Sequence, residues 1–148
     1  MAEPAARPSK APWHLWIVGV VSLLWNAVGC TDFVMTQTHN KAYMSGFTPA
    51  QLSYYYGFPF WAVVAWGIAP LSALLGTLAL FLRRRLAVAL FAVSILGMVL
   101  TDIYSFVLSD GLKVMGGPPA LILSAVIFVI GAFLLAYSRS MGRRGVLR

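Results

Sequence analysis

The sequence predicts an all-α membrane protein, a four-transmembrane-helix bundle with a short interfacial helix in its first outer loop. Three observations carry this expectation. With 60% hydrophobic and only 10% charged residues, the chain cannot cover itself with polar surface in water, so its solvent is the lipid bilayer. The hydrophobic residues are gathered into four long runs divided by short polar or basic stretches. The basic residues, finally, are placed as loops of a multi-pass protein place them. Arg7 and Lys10 precede the first run, Arg83, Arg84 and Arg85 divide the second from the third, and Arg139, Arg143, Arg144 and Arg148 follow the fourth. Only Lys41 and Lys113 fall elsewhere. An even number of spans sets the three clusters on one side and the lone lysines on the other, so both termini are expected in the cytoplasm. The net charge of +7 is thereby an orientation signal, and no nucleic-acid partner is expected.

Residues 1–12, rich in Pro and Ala without a period, read as a cytoplasmic tail ahead of a membrane domain over 13–138. The first span is expected over about 16–35, with Trp13 and Trp16 in the aromatic belt at its inner end. The run that ends at Ala27-Val28-Gly29-Cys30 has the outline of a lipoprotein signal, but it continues through Phe33, Val34 and Met35, which suits a retained span. Cys30 is the single cysteine and forms no intramolecular disulfide. In the outer loop that follows, Thr48-Pro49-Ala50-Gln51 has the pattern of a capping box with Pro at the first helical position, which predicts a short helix over about 49–56. Its aromatic residues suit either an anchor in the outer interface or a lid over an outward-facing cavity.

The second span, about 60–82, is joined to the third, about 86–108, by three arginines alone, which forces an antiparallel hairpin. The fourth, about 120–137, starts after Gly116-Gly117-Pro118-Pro119, where proline in the first turn costs no hydrogen bond. Residues 139–148 form a basic cytoplasmic tail. Ala65, Ala69 and Ala73, continuing towards Gly76, and Ser124, Gly131 and Ser138 mark faces where helices can approach closely in lipid. A faint internal echo, Thr31-Asp32-Phe33 and Thr101-Asp102-Ile103, falls near the outer ends of the first and third spans.

Asp32 and Asp102 are the sharpest candidates for function, being the acidic residues that fall within spans. At 1.5 Å per residue they sit on the order of 5 Å and 9 Å inside the outer ends. An ionisable group at that depth costs roughly 1–3 kcal/mol and should face the bundle or a wet cavity. With Asn26 they form one candidate substrate-binding wall, to which Trp25, Trp61, Trp66 and Tyr104 could add flat faces for a sugar or another ring. The competing reading ties each carboxylate to a neighbouring hydroxyl or indole and makes the aromatics packing residues. No Cys/His cluster, nucleotide loop, hydrolase elbow or metalloprotease helix is present, so neither an enzyme nor a bound metal or cofactor is expected.

Trp13-His14-Leu15-Trp16, Leu24-Trp25-Asn26, Gly29, Asp32-Phe33, Met35-Thr36-Gln37-Thr38, Tyr43-Met44, Phe47-Thr48-Pro49, Gln51-Leu52 and Gly57-Phe58-Pro59, in that order, resemble a group of small four-span proteobacterial membrane proteins. These are often labelled sugar transporters or uncharacterised. The resemblance is densest from Trp13 to Trp66 and continues loosely to Tyr104. It implies a bacterial inner-membrane protein handling a small solute such as a sugar. Because four short helices rarely enclose an alternating-access pathway alone, such a protein is expected to work as a homo-oligomer or within a larger membrane complex. The rival expectation is an accessory or structural subunit of such a complex.

Overall fold

The computed structural model describes residues 9–148. The part of the first tail before residue 9, with Arg7, lies outside them. Four helices are long and apolar enough to span a bilayer: α1 (Trp13–Gln37), α4 (Phe60–Phe81), the helix begun by α5 (Leu86–Ile103) and prolonged by a π-helical turn (Tyr104–Leu108), and α7 (Pro118–Arg143). Short helices α2 (Lys41–Met44) and α3 (Pro49–Tyr56) occupy the loop between α1 and α4, and α6 (Gly111–Val114) the loop before α7. No strand occurs among the described residues. The chain is a multi-pass membrane protein of four helices, and the large aliphatic side chains on its outside, such as Val20, Leu75, Ile122 and Val129, are its lipid-facing surface.

Sequence chemistry explains where the helices stop. α3 begins with the expected capping box: Thr48 Oγ1 accepts from the Gln51 amide at 3.3 Å, and the Thr48 amide donates to Gln51 Oε1 at 3.0 Å. α1 and α4 both end in a Schellman arrangement whose left-handed residue is not glycine. His39 has φ 53° and the Asn40 amide reaches back to the Met35 carbonyl; Arg83 has φ 55° and the Arg84 amide reaches back to the Ala79 carbonyl. Both side chains are held by tertiary contacts that offset the backbone cost. The His39 ring stacks on Tyr56 at 3.8 Å, and the Arg83 guanidinium donates to the Val146 and Ser9 carbonyls at 2.9 and 2.6 Å.

Spatial order follows chain order: α1 packs on α4, α4 on α5, and α5 on α7. The α4–α5 hairpin is the tightest pair. A Cβ built on Gly97 would lie 2.8 Å from the Ala65 carbonyl oxygen and 3.0 Å from the Ala69 nitrogen, so the backbones touch there. The Ala65–Ala69–Ala73 face therefore does pack as the sequence implied, with Gly97 as its partner. Ser94 Oγ adds a 2.7 Å bond to the Ala69 carbonyl beside it.

At the end that carries both described chain ends and the arginines, the four helices converge. Leu15, Leu80, Ala87, Phe91, Leu134 and Met141 form one buried cluster there, closed from below by Val146 and Leu147. α7 runs six residues past 137, because Met141 belongs to this cluster. The following segment is likewise packed rather than splayed: the Arg85 amide donates to the Arg148 carbonyl at 2.8 Å and the Arg148 amide to the Arg83 carbonyl at 2.7 Å. Here α1 and α7 also meet, through His14 Nδ1 and Tyr137 Oη at 2.5 Å. Away from this end α1 and α7 have no continuous packed seam, and the bundle opens.

Candidate functional site

The opening is a cavity of about 480 Å³ between all four spanning helices, and each helix supplies one stripe at helical spacing. On α1 the stripe is Asn26, Gly29 and Asp32; on α4, Trp66, Pro70 and Ala73; on α5, Ser94, Met98, Thr101 and Asp102; on α7, Ser124, Ile127 and Gly131. Gly29 and Pro70 face one another across the α1–α4 contact, where a Cβ on Gly29 would lie 3.3 Å from the proline ring. Pro70 removes one helical hydrogen bond from α4 at this level.

Of the residues singled out in the sequence, Trp25, Asn26, Asp32, Trp66 and Asp102 all line this one cavity. Trp61 and Tyr104 do not. They pack edge to face on each other at 5.6 Å, and Tyr104 also meets Phe58 at 4.7 Å. They miss the cavity because they sit on the outer flank of the α4–α5 hairpin, where Trp61 is 45% exposed.

Asn26 lies near the middle of α1 and is buried, with 6% exposure. Its amide nitrogen donates to Thr77 Oγ1 at 3.1 Å and to the Ala73 carbonyl at 3.4 Å. Thr77 spends its own proton on the Ala73 carbonyl at 3.0 Å, so the orientation of the Asn26 amide is determined: nitrogen toward α4. Among the described residues no donor reaches its Oδ1.

Nearer the loop end, Asp102 accepts from Ser124 Oγ at 2.6 Å, and Asp32 from Tyr43 Oη at 2.7 Å. The two Thr-Asp pairs are alike locally. Thr31 and Thr101 each donate to the carbonyl four residues earlier at 2.8 Å, turning their hydroxyl protons into the helix. Neither aspartate has a basic partner; among the described residues the one ion pair is Lys113–Asp110, at 3.5 Å on the exposed surface.

The first loop forms the rim. Tyr43, Tyr55 and Phe58 line the cavity alongside Trp66, which Tyr55 and Phe58 approach at 5.9 and 5.6 Å. The Asp32 carboxylate that accepts the Tyr43 proton holds that phenol up at about 12, with lesser help from burial. Burial, and then the nearby Asp32 charge, pushes Tyr55 up to about 12 as well. α3 is tied down on its other side, where Tyr54 Oη and Ser109 Oγ lie 3.0 Å apart.

Tyr43, Tyr55, Phe58 and Ser124 are the site residues that spacing within spans could not single out. The loop tyrosines carry no period, and Ser124 reads as a small packing residue. The one usable signal was the density of aromatics in a loop that begins next to Asp32. No family model, curated protein or solved structure matches the chain.

Proposed function

We propose that this chain is a bacterial inner-membrane protein, both termini in the cytoplasm, that takes a small solute into the cavity between its four helices. The single observation behind the reading is that five of the sequence-selected residues, including both span carboxylates, line one cavity. At about 480 Å³ it falls in the range of small-molecule sites, and its wall is mainly apolar with a few convergent polar groups, as such sites are. Orientation follows from charge. The bundle gathers Lys10, Arg83–Arg85 and the arginines after α7 at its closed end, and leaves Lys41 and Lys113 at the open end, so the cavity faces the periplasm. A reporter fused after Arg148 should then be active only in the cytoplasm.

A sugar is the solute that the family resemblance implies, and the role is carriage or capture rather than catalysis. Because α1 and α7 leave the bundle open on one side, a homo-oligomer or a larger complex would complete it. One observation favours a second reading, an accessory subunit: both carboxylates already have hydroxyl partners, as register-fixing groups would. Purification in mild detergent, identification of co-purifying proteins and a thermal-shift panel of sugars and cations separates the two. A ligand-dependent shift that Trp66→Ala removes supports the solute reading. A stoichiometric partner with no shift from any solute refutes it.

A further inference from the structure

We infer that the solute for which this cavity is built is an organic cation: a protonated amine on a flat apolar body. The inference rests on the solute-binding reading above and names its class. Charge is the first argument. Asp32 and Asp102 line the cavity, while no Lys, Arg or His among the described residues does. A chain of net charge +7 thus encloses a pocket of opposite sign, and two carboxylates stand in spanning helices without a counter-charge. A cation entering the cavity supplies it.

Hydrogen-bonding capacity is the second. Ser94, Thr101 and Ser124 line the cavity but give their protons to Ala69, Gly97 and Asp102, and Tyr43 gives its proton to Asp32. The Asn26 amide, nine-tenths buried, gives its N–H to α4 and leaves Oδ1. With their protons committed, these five groups and the two carboxylates present acceptors to a ligand: carboxylate oxygens near the mouth and an amide oxygen at mid-depth. An ammonium, with donors only, matches that set. The donors left on the wall are the Tyr55 and Ser105 hydroxyls and the Trp25 and Trp66 indole N–H groups, and most of the remainder is apolar, with Ile95, Met98, Leu123 and Ile127.

Aromatic faces are the third argument. Trp25, Tyr55 and Trp66 come from three separate helices, and Phe58 from the link between α3 and α4, to the same cavity, and aromatic faces attract cations most strongly where water is excluded.

The test compares 2-phenylethylammonium with its neutral isostere 2-phenylethanol, and with glucose. The full chain is held in nanodiscs of zwitterionic phosphatidylcholine, with tryptophan fluorescence and calorimetry as readouts. The cation should bind at least about tenfold tighter than the alcohol, since charge is the main difference between them. Asp32→Asn and Asp102→Asn should each remove most of that preference, and Asp110→Asn, outside the cavity, should leave it intact. The wild-type comparison needs no variant, so a misfolded Asp→Asn protein does not blunt the test. Equal binding of cation and alcohol, or folded Asp32→Asn and Asp102→Asn proteins that keep the preference, overturns the cation inference. Glucose binding in place of the cation overturns it while the solute reading stands. Absence of binding by all three, together with a co-purifying protein partner, overturns both.

Discussion

Replacing Gly97 by alanine tests whether the α4–α5 contact sets the architecture around the cavity. The added methyl carbon would lie 2.8 Å from the Ala65 carbonyl oxygen and 3.0 Å from the Ala69 nitrogen, whereas ordinary contact begins at 3.4 Å. Both obstacles are backbone atoms of a packed helix, so no rotamer change relieves them. The helices must separate by several tenths of an ångström, which also stretches the 2.7 Å bond from Ser94 to the Ala69 carbonyl. Overpacking of this kind costs about 1–3 kcal/mol. The same substitution gains roughly 1 kcal/mol of helix propensity, which would mask a small clash. Gly131→Ala supplies the reference. It sits in a spanning helix, its new methyl would lie 3.4 Å from an Ile95 side-chain carbon that can move, and its propensity gain is the same. The stability difference between the two variants, read by SDS titration of the protein in mixed micelles, should therefore be about 1–3 kcal/mol against Gly97→Ala. Equal stability of the two would refute the claim that backbone contact at Gly97 fixes the hairpin.

Three further outcomes are expected. In a spectrophotometric titration, Tyr43 and Tyr55 should ionise near 12, and Asp32→Asn should return Tyr43 toward its ordinary 10; because the folded value is raised, the stability tied to the Tyr43 proton is complete below 10 and disappears as pH rises through about 12. Asn26→Leu, which removes the α1–α4 bonds to Thr77 and Ala73, should lower stability by about 0.6–1.7 kcal/mol in the same SDS assay; an unchanged midpoint would show that the buried amide holds no helices together. Leu147→Ala should cost about 2–4 kcal/mol, because the side chain is 1% exposed within the cluster that closes the arginine end; a free terminal tail would show no loss.

The four spans, the hairpin and α3 were legible because their causes are local: apolar runs of bilayer length, a connection of three residues, and a capping box whose hydrogen bonds the structure contains. Asp32, Asp102, Asn26, Trp25 and Trp66 could be singled out because a polar or aromatic residue in a span needs a reason, and helical spacing indicates which face it shares. Trp61 and Tyr104 carry the same local signal as Trp66, yet the rotation of the α4–α5 hairpin puts them on each other. The close approach of the two backbones at Gly97 belongs to the same packing, and the importance of that glycine depends on what lies opposite it. The helical continuation of α7 to Arg143 and the burial of Val146 and Leu147 are long-range effects too: an isolated basic stretch gives no sign that Leu15 and Leu80 wait beneath it.

The π-helical turn at Tyr104–Leu108 gives the third span some slack in its length. Each hydrogen bond in such a turn closes over one more residue than in an α-helix, and here Ser109 Oγ, bonded to the Tyr104 carbonyl at 2.8 Å, holds the widened end. Removing one residue within the turn can tighten it to α-helical winding and leave everything before Ile103 in phase, so Asp102 still meets Ser124. Removing one residue about two turns earlier, at Leu96, would swing Asp102 about 100° around the axis relative to the anchored start of α5 and break that meeting. Tolerance to single-residue deletion should therefore change abruptly along this helix, from intolerant beside Gly97 to permissive after Ile103.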